Sequence, residues 1–258
     1  MRLYFKYFRI QLHCQMQYKT SFMMTVLGQF LSSFTAFLGV YFMFRKFYKV
    51  DGFTFPEVLL CFAVVLLSFS LAECFIRGFD TFSGIISNGE FDRILLRPRG
   101  LVFQVVASKI ELTRIGRMLQ AVLIFCYAIP NSGVLWSFDK IIILILMIAG
   151  GFVTFTGLFM VYASFCFFTT EGLEFMNILT DGTLEFGRYP LSIYGDGILR
   201  FFTYAVPVAL FQYYPLLYLL GRSTNLLYAL CPVFCFLFLL PCQVFWRIGL
   251  RHYKSTGS

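Results

Sequence analysis

The sequence predicts an all-α integral membrane fold with six transmembrane helices and an N-terminal interfacial amphipathic helix. Three observations predict it. Hydrophobic residues make up 59% of the 258 positions, and only 13% are Asp, Glu, Lys or Arg, about half the share that coats a soluble domain. The charges cluster, and between them lie long uncharged runs: residues 22–44, 141–170 and 223–246. Runs of that length match a hydrocarbon core of roughly 30 Å. They are continuous rather than alternating, so the backbone crosses as helices and not as a barrel. The whole chain, 1–258, is expected to form one transmembrane domain.

Residues 1–20 interleave basic and apolar side chains without a small-residue cleavage site, so they are not read as a cleavable signal. Arg2, Lys6, Arg9 and His13 fall on one helical stripe, with Tyr4, Tyr7, Phe8, Cys14 and Tyr18 roughly opposite. That pattern suits a helix lying in the membrane interface. Spans are expected at 22–44, 55–76, 110–130, 140–168 and 224–247. Pro130-Asn131-Ser132-Gly133 reads as the turn that closes the third. A further crossing is expected within 171–221, at about 173–189 or at 198–220. Hydropathy favours the later stretch, although it contains Arg200, Pro207, Gln212 and Pro215.

The connection 77–109 is too long and too patterned for a simple turn. Phe79, Phe82, Ile85 and Ile86 recur at helical spacing. Asn88-Gly89 signals a break. Glu90-Phe91-Asp92-Arg93-Ile94-Leu95-Leu96 then reads as a short helix ended by Arg97-Pro98. A helix, a bend and a second helix with apolar and charged residues make a docking surface for a cytoplasmic partner.

The net charge of +8 flanks apolar spans, so it is assigned to lipid headgroups and not to nucleic acid. The N-terminal segment, the second connection and the C-terminus hold 14 of the 21 Lys and Arg residues. They share a side only if the number of crossings is even, and the positive-inside rule then puts both termini in the cytoplasm. The eight cysteines include no CxxC pair and read as small buried hydrophobes. No GxxxxGK[ST], HExxH or GxSxG motif occurs, and no metal-ligand cluster. No catalytic residue, metal or bound cofactor is expected. A membrane chain with a docking surface and no chemistry of its own suggests a transporter powered from elsewhere. An ion-coupled secondary carrier would be expected to show internal repeats, which are not evident. A membrane scaffold is the third alternative.

Two motifs bring a family into view. Gly89-Glu90-Phe91-Asp92-Arg93-Ile94-Leu95-Leu96-Arg97-Pro98 is similar to the G-x-[LF]-D-x-x-L-x-R-P pattern in the first cytoplasmic loop of ABC-2-type exporter permeases. Arg188-Tyr189-Pro190-Leu191-Ser192-Ile193-Tyr194, continued by Val206-Pro207 and Tyr214-Pro215, resembles the run between their last two spans. The chain resembles a bacterial branch of these permeases along essentially its whole length. The resemblance implies a non-catalytic permease in the bacterial cell membrane that dimerises with the same or a related chain. It implies a separate ABC ATPase on each permease, two copies per complex, carrying ATP and Mg. It implies that the connection is a coupling helix, with Phe82, Ile86, Gly89, Glu90, Phe91, Asp92, Arg93, Leu95, Leu96, Arg97 and Pro98 as candidate ATPase contacts. It also favours the earlier stretch as the fifth span, with 190–221 folding back at the outer face. Asp181 and Glu185 would then lie within the membrane on one helical face beside Asn177 and Arg188. Such a face must avoid lipid and is expected to line the transport path or the dimer interface.

Overall fold

The computed structural model describes residues 2–169 and 174–255. Five of its helices are long and apolar enough to cross a membrane: α2 (Lys19–Lys46), α3 (Phe55–Phe75), α8 (Ile115–Asn131, continuing a 3₁₀ turn at Leu112–Arg114), α9 (Phe138–Phe165) and α14 (Leu226–His252). Each uninterrupted apolar run of the sequence lies within or largely within one of these helices. The third starts later than expected, because the chain runs extended through Lys109. It also continues through Pro130 to Asn131.

Composition sets how deeply each helix packs. Helix α3 is apolar all round, and a helix of that kind belongs in the centre of a bundle. It sits there, packed by α2's neighbour α8 on one side and α9 on another, with Val58 to Leu66 at 3% exposure or less. Helix α2 keeps most of its surface outside the bundle. Helix α9 packs most extensively on α14. Gly150 and Gly157 bring α9 within contact of Pro232, Phe238 and Cys242, the close approach that small residues give packed membrane helices.

The expected N-terminal helix is α1 (Arg2–Met16). Tyr4, Phe8 and Leu12 pack against Cys74, Ile110 and Leu112, while Lys6, Arg9 and His13 are exposed. Gln15 secures it by donating to the Ile110 carbonyl at 2.5 Å and accepting from the Leu112 amide at 3.1 Å. Cys14 and Tyr18 are exposed rather than on the packed side. Five cysteines are buried as expected, but Cys126 also faces outward.

The connection after α3 contains four short helices: α4 (Arg77–Asp80), α5 (Phe82–Ser87), α6 (Glu90–Leu95) and α7 (Leu101–Ser108). The expected bend is present: Gly89 has φ of 67°, a region costly for side chains with a Cβ. Helix α7 was not foreseen. Gly78 abuts its Val105 carbonyl so closely that no Cβ fits between them.

Between 174 and 222 the chain contains α10 (Glu174–Gly187), a 3₁₀ turn (Leu191–Tyr194), α11 (Asp196–Tyr204), α12 (Val208–Phe211) and α13 (Tyr213–Leu219). The hydropathic stretch 198–220 is therefore three short helices, corrected from one span. Pro207 sits at the break between the first two and Gln212 at the break between the last two, while Pro215 falls in the first turn of α13, where a helix tolerates proline. The earlier stretch is helical, though residues 171–173 lie outside the described residues. Helix α10 has 14 residues, about 21 Å at 1.5 Å per residue. It starts at the end of the bundle where α4 lies. The chain after it reaches the opposite end, where Ser192 donates to Asp51 at 2.5 Å. The following segment returns inward until Phe211 lies beside Gly150 and Gly151, the midpoint of α9. It then climbs back to Arg222, which pairs with Glu57 at 2.7 Å and donates to the Gly52 carbonyl at 2.8 Å. Gln212, fully buried at the turn, donates to the Tyr189 carbonyl at 2.8 Å and so ties this hairpin to the end of α10.

Candidate functional site

Two clusters meet at the end of the bundle that carries α1, α4–α7 and the last turn of α14. The first is aromatic. Phe82 of α5 and Phe91 of α6 meet edge to face, with ring centroids 5.3 Å apart. Both touch Phe167, at 5.1 and 5.3 Å. Phe82 also meets Trp246 at 5.2 Å, and Phe91 meets Tyr253 at 4.9 Å. These partners come from the ends of α9 and α14. Phe82 and Phe91 are 0% exposed, and Ile86 is 2% exposed.

This corrects part of the sequence reading. Phe82, Ile86 and Phe91 are not free apolar anchors for a partner, because their own chain covers them. Asp92 is also occupied: it accepts from the Tyr253 hydroxyl at 2.9 Å and the Ser255 hydroxyl at 2.6 Å. Burial first, then the hydrogen bond to Asp92 and its charge, push the Tyr253 hydroxyl up to about 12, so it remains a proton donor. What faces outward is Glu90, Arg93, Leu95, Leu96, Arg97 and Pro98. Leu96 is 86% exposed. Gly89 sets the angle between the two halves.

The second cluster is ionic. Glu73, near the end of α3, is 4% exposed and binds three guanidinium groups: Arg77 at 3.1 Å, Arg114 at 3.2 Å and Arg117 at 2.8 Å. Arg77 also pairs with Asp80 and, at 3.0 Å, with Glu111. Arg114 extends to Gln29 of α2 at 2.8 Å. A carboxylate this deep is stable only when its charge is met, and here three cations from two separate stretches meet it. Burial raises the Asp80 carboxyl above its usual range, against the opposing pull of Arg77.

A polar cavity of about 270 Å³ opens beside this network, lined by Glu73, Arg77, Asp80, Arg117, Asn177 and Asp181 among others. A second, of about 280 Å³, shares Arg117 and Asp181 and continues past Ser32 and Ser33 to Glu185 and Arg188. Glu185 pairs with Arg188. The expected polar face of α10 therefore lines two cavities that have residues in common, and Asp181 belongs to both. The arginines had counted only as basic flanks. The missed signal was Glu73, an acid inside an apolar run.

The family described as "ABC-2 family transporter protein" matches residues 30–257. The chain belongs to that family. It is a multi-pass membrane protein and a transport permease, and membership implies an ABC ATPase as partner. No curated protein and no solved structure matches the chain.

Proposed function

We propose that this chain is the non-catalytic membrane subunit of an ATP-driven exporter in the bacterial cell membrane. It crosses the membrane six times, with α10 and its extension as the fifth crossing and 190–221 as a hairpin re-entering from the outer face. Both termini are cytoplasmic. The observation that carries this reading is the sharing of one bundle end by α1, α4–α7 and Tyr253. Gln11 reaches the Ser108 carbonyl at 3.2 Å and Tyr253 reaches Asp92, so the three most basic segments lie together, as an even number of crossings requires.

On this reading a separate ATPase, with its ATP and Mg, docks on the outward-facing residues of α6 and the turn after it. Leu95 and Leu96 supply apolar area, while Glu90, Arg93 and Arg97 supply charge complementarity. The aromatic cluster passes the displacement to α9 and α14, because packed interiors transmit strain rather than absorb it. The exporter works as a dimer with two ATPase copies, and Asp181 and Glu185 line the transport path.

Labelling of single cysteines in a Cys-free background tests the orientation. Positions Lys49 and Leu135, both exposed, should react in intact cells, and Asn88 only after permeabilisation. Reaction at Asn88 from outside would refute both the topology and the docking assignment.

A further inference from the structure

Helix α10 carries three faces. Met176, Thr180, Thr183, Leu184 and Gly187 are buried against the bundle. Asn177, Asp181, Glu185 and Arg188 form the polar stripe on the cavities. At the helical advance of about 100° per residue, Ile178, Gly182 and Phe186 form the next stripe. With Phe201 and Phe202 they line an open apolar groove of about 560 Å³. Ile178 is 72% exposed. A polar cavity and an apolar groove thus share one helix as neighbours.

The cavity offers a carboxylate outside the ion-pair network and guanidinium donors that the network does not use. Asp181 makes no ion pair and no hydrogen bond among the described residues. Arg117 gives one nitrogen to Glu73, and its buried Nε has no partner, although a guanidinium has five N–H donors to place. The two groups line the same 270 Å³ and attract each other across it without forming a salt bridge. A simple anion would leave Asp181 unmet, and a simple cation would leave the donors that Arg117 does not give to Glu73 unused.

We infer that the cavity beside α10 binds the zwitterionic headgroup of an amphiphile, a phosphate held at Arg117 and an ammonium at Asp181, with its chains along Ile178, Gly182 and Phe186. The inference deepens the proposed transport path and rests on it for its role in export. A bilayer lipid fits better than a free zwitterion, because the apolar stripe is contiguous with the charged one. The shared chemistry is a phosphate a few bonds from an ammonium.

The test uses the full-length chain in nanodiscs containing equal amounts of phosphatidylethanolamine and phosphatidylglycerol with matched acyl chains. Lipid retained after release is read by native mass spectrometry. The wild type should retain phosphatidylethanolamine about fivefold over phosphatidylglycerol, the preference one partly exposed ion pair can confer. Asp181→Asn, at an exposed position that folding tolerates, should reduce that ratio to about one. Ile178→Asn should lower retention of both lipids. Free glycerophosphoethanolamine should compete weakly, since it lacks the chains.

Equal retention by the wild type, or an unchanged ratio in Asp181→Asn, overturns the proposal. Competition by the free headgroup as strong as by the lipid transfers the site to a soluble zwitterion and overturns the lipid assignment. If Ile178→Asn breaks a dimer while lipid retention stays the same, the groove is covered by a second copy, and the assignment of its occupant fails. Binding is read without the ATPase. If the ratio shifts as expected but Asp181→Leu leaves export intact, the transport-path reading fails and the binding site stands.

Discussion

The four-residue helix α4 faces two unlike neighbours. Phe79 points into the aromatic cluster, 5.2 Å from Trp246, whereas Arg77 and Asp80 point into the charged network. The aromatic side is mostly apolar, with Phe82 and Phe91 fully enclosed, so its stability comes from packing and is indifferent to what passes through the protein. The ionic side encloses cavities and, among the described residues, leaves Asp181 without an ion pair, so its arrangement can respond to a ligand. One connection can thereby combine a stiff joint with an adjustable site, and the two sides should fail in different ways.

The largest effect is expected at the stiff side. Phe91→Ala removes a fully buried ring from contact with Phe82, Phe167 and Tyr253 and should cost about 3–5 kcal/mol. A thermal-unfolding midpoint measured in detergent checks it. The loss should appear in the permease alone, before any ATPase is added. A variant as stable as the wild type would mean that the cluster carries no such load.

The ionic side should break by a different rule. Glu73→Gln leaves Arg114 and Arg117 without the carboxylate that binds them and should destabilise by about 3 kcal/mol. The pair Glu73→Gln with Arg114→Gln should then be less harmful than the sum of the two changes, by about 1 kcal/mol or more. A double-mutant cycle on unfolding midpoints measures this. Additive losses would show that the network is not coupled.

The two sides also differ in how far the sequence disclosed them. The five long apolar helices were legible because crossing lipid needs unbroken apolar runs, a signal strong enough in 224–247 to prevail over Pro232 and Pro241 inside the helix. The bend at Gly89 and the helix end before Pro98 were legible because they are local backbone chemistry. The direction of Phe91 was not. Helical spacing gives a face, but the cover over that face comes from Phe167, Trp246 and Tyr253, at least 76 positions away. The Glu73 network was hidden for the same reason, since its partners Arg114 and Arg117 lie 41 and 44 positions further along. The stretch 198–220 misled because average hydropathy does not register the breaks at Pro207 and Gln212, which divide it. The acids of α10 could be placed on one face by their spacing, whereas the cavities they line exist only once α3 and α8 are packed beside them.

The central claim is that the outward rim of α6 engages the ATPase while the aromatic cluster behind it holds the shape. Leu96→Asp tests it most directly. Leu96 is 86% exposed, so the permease should keep its unfolding midpoint. Loss of an interface anchor worth about 2 kcal/mol should lower co-purification of the ATPase roughly thirtyfold. Full retention of the ATPase by a folded Leu96→Asp permease would contradict the account.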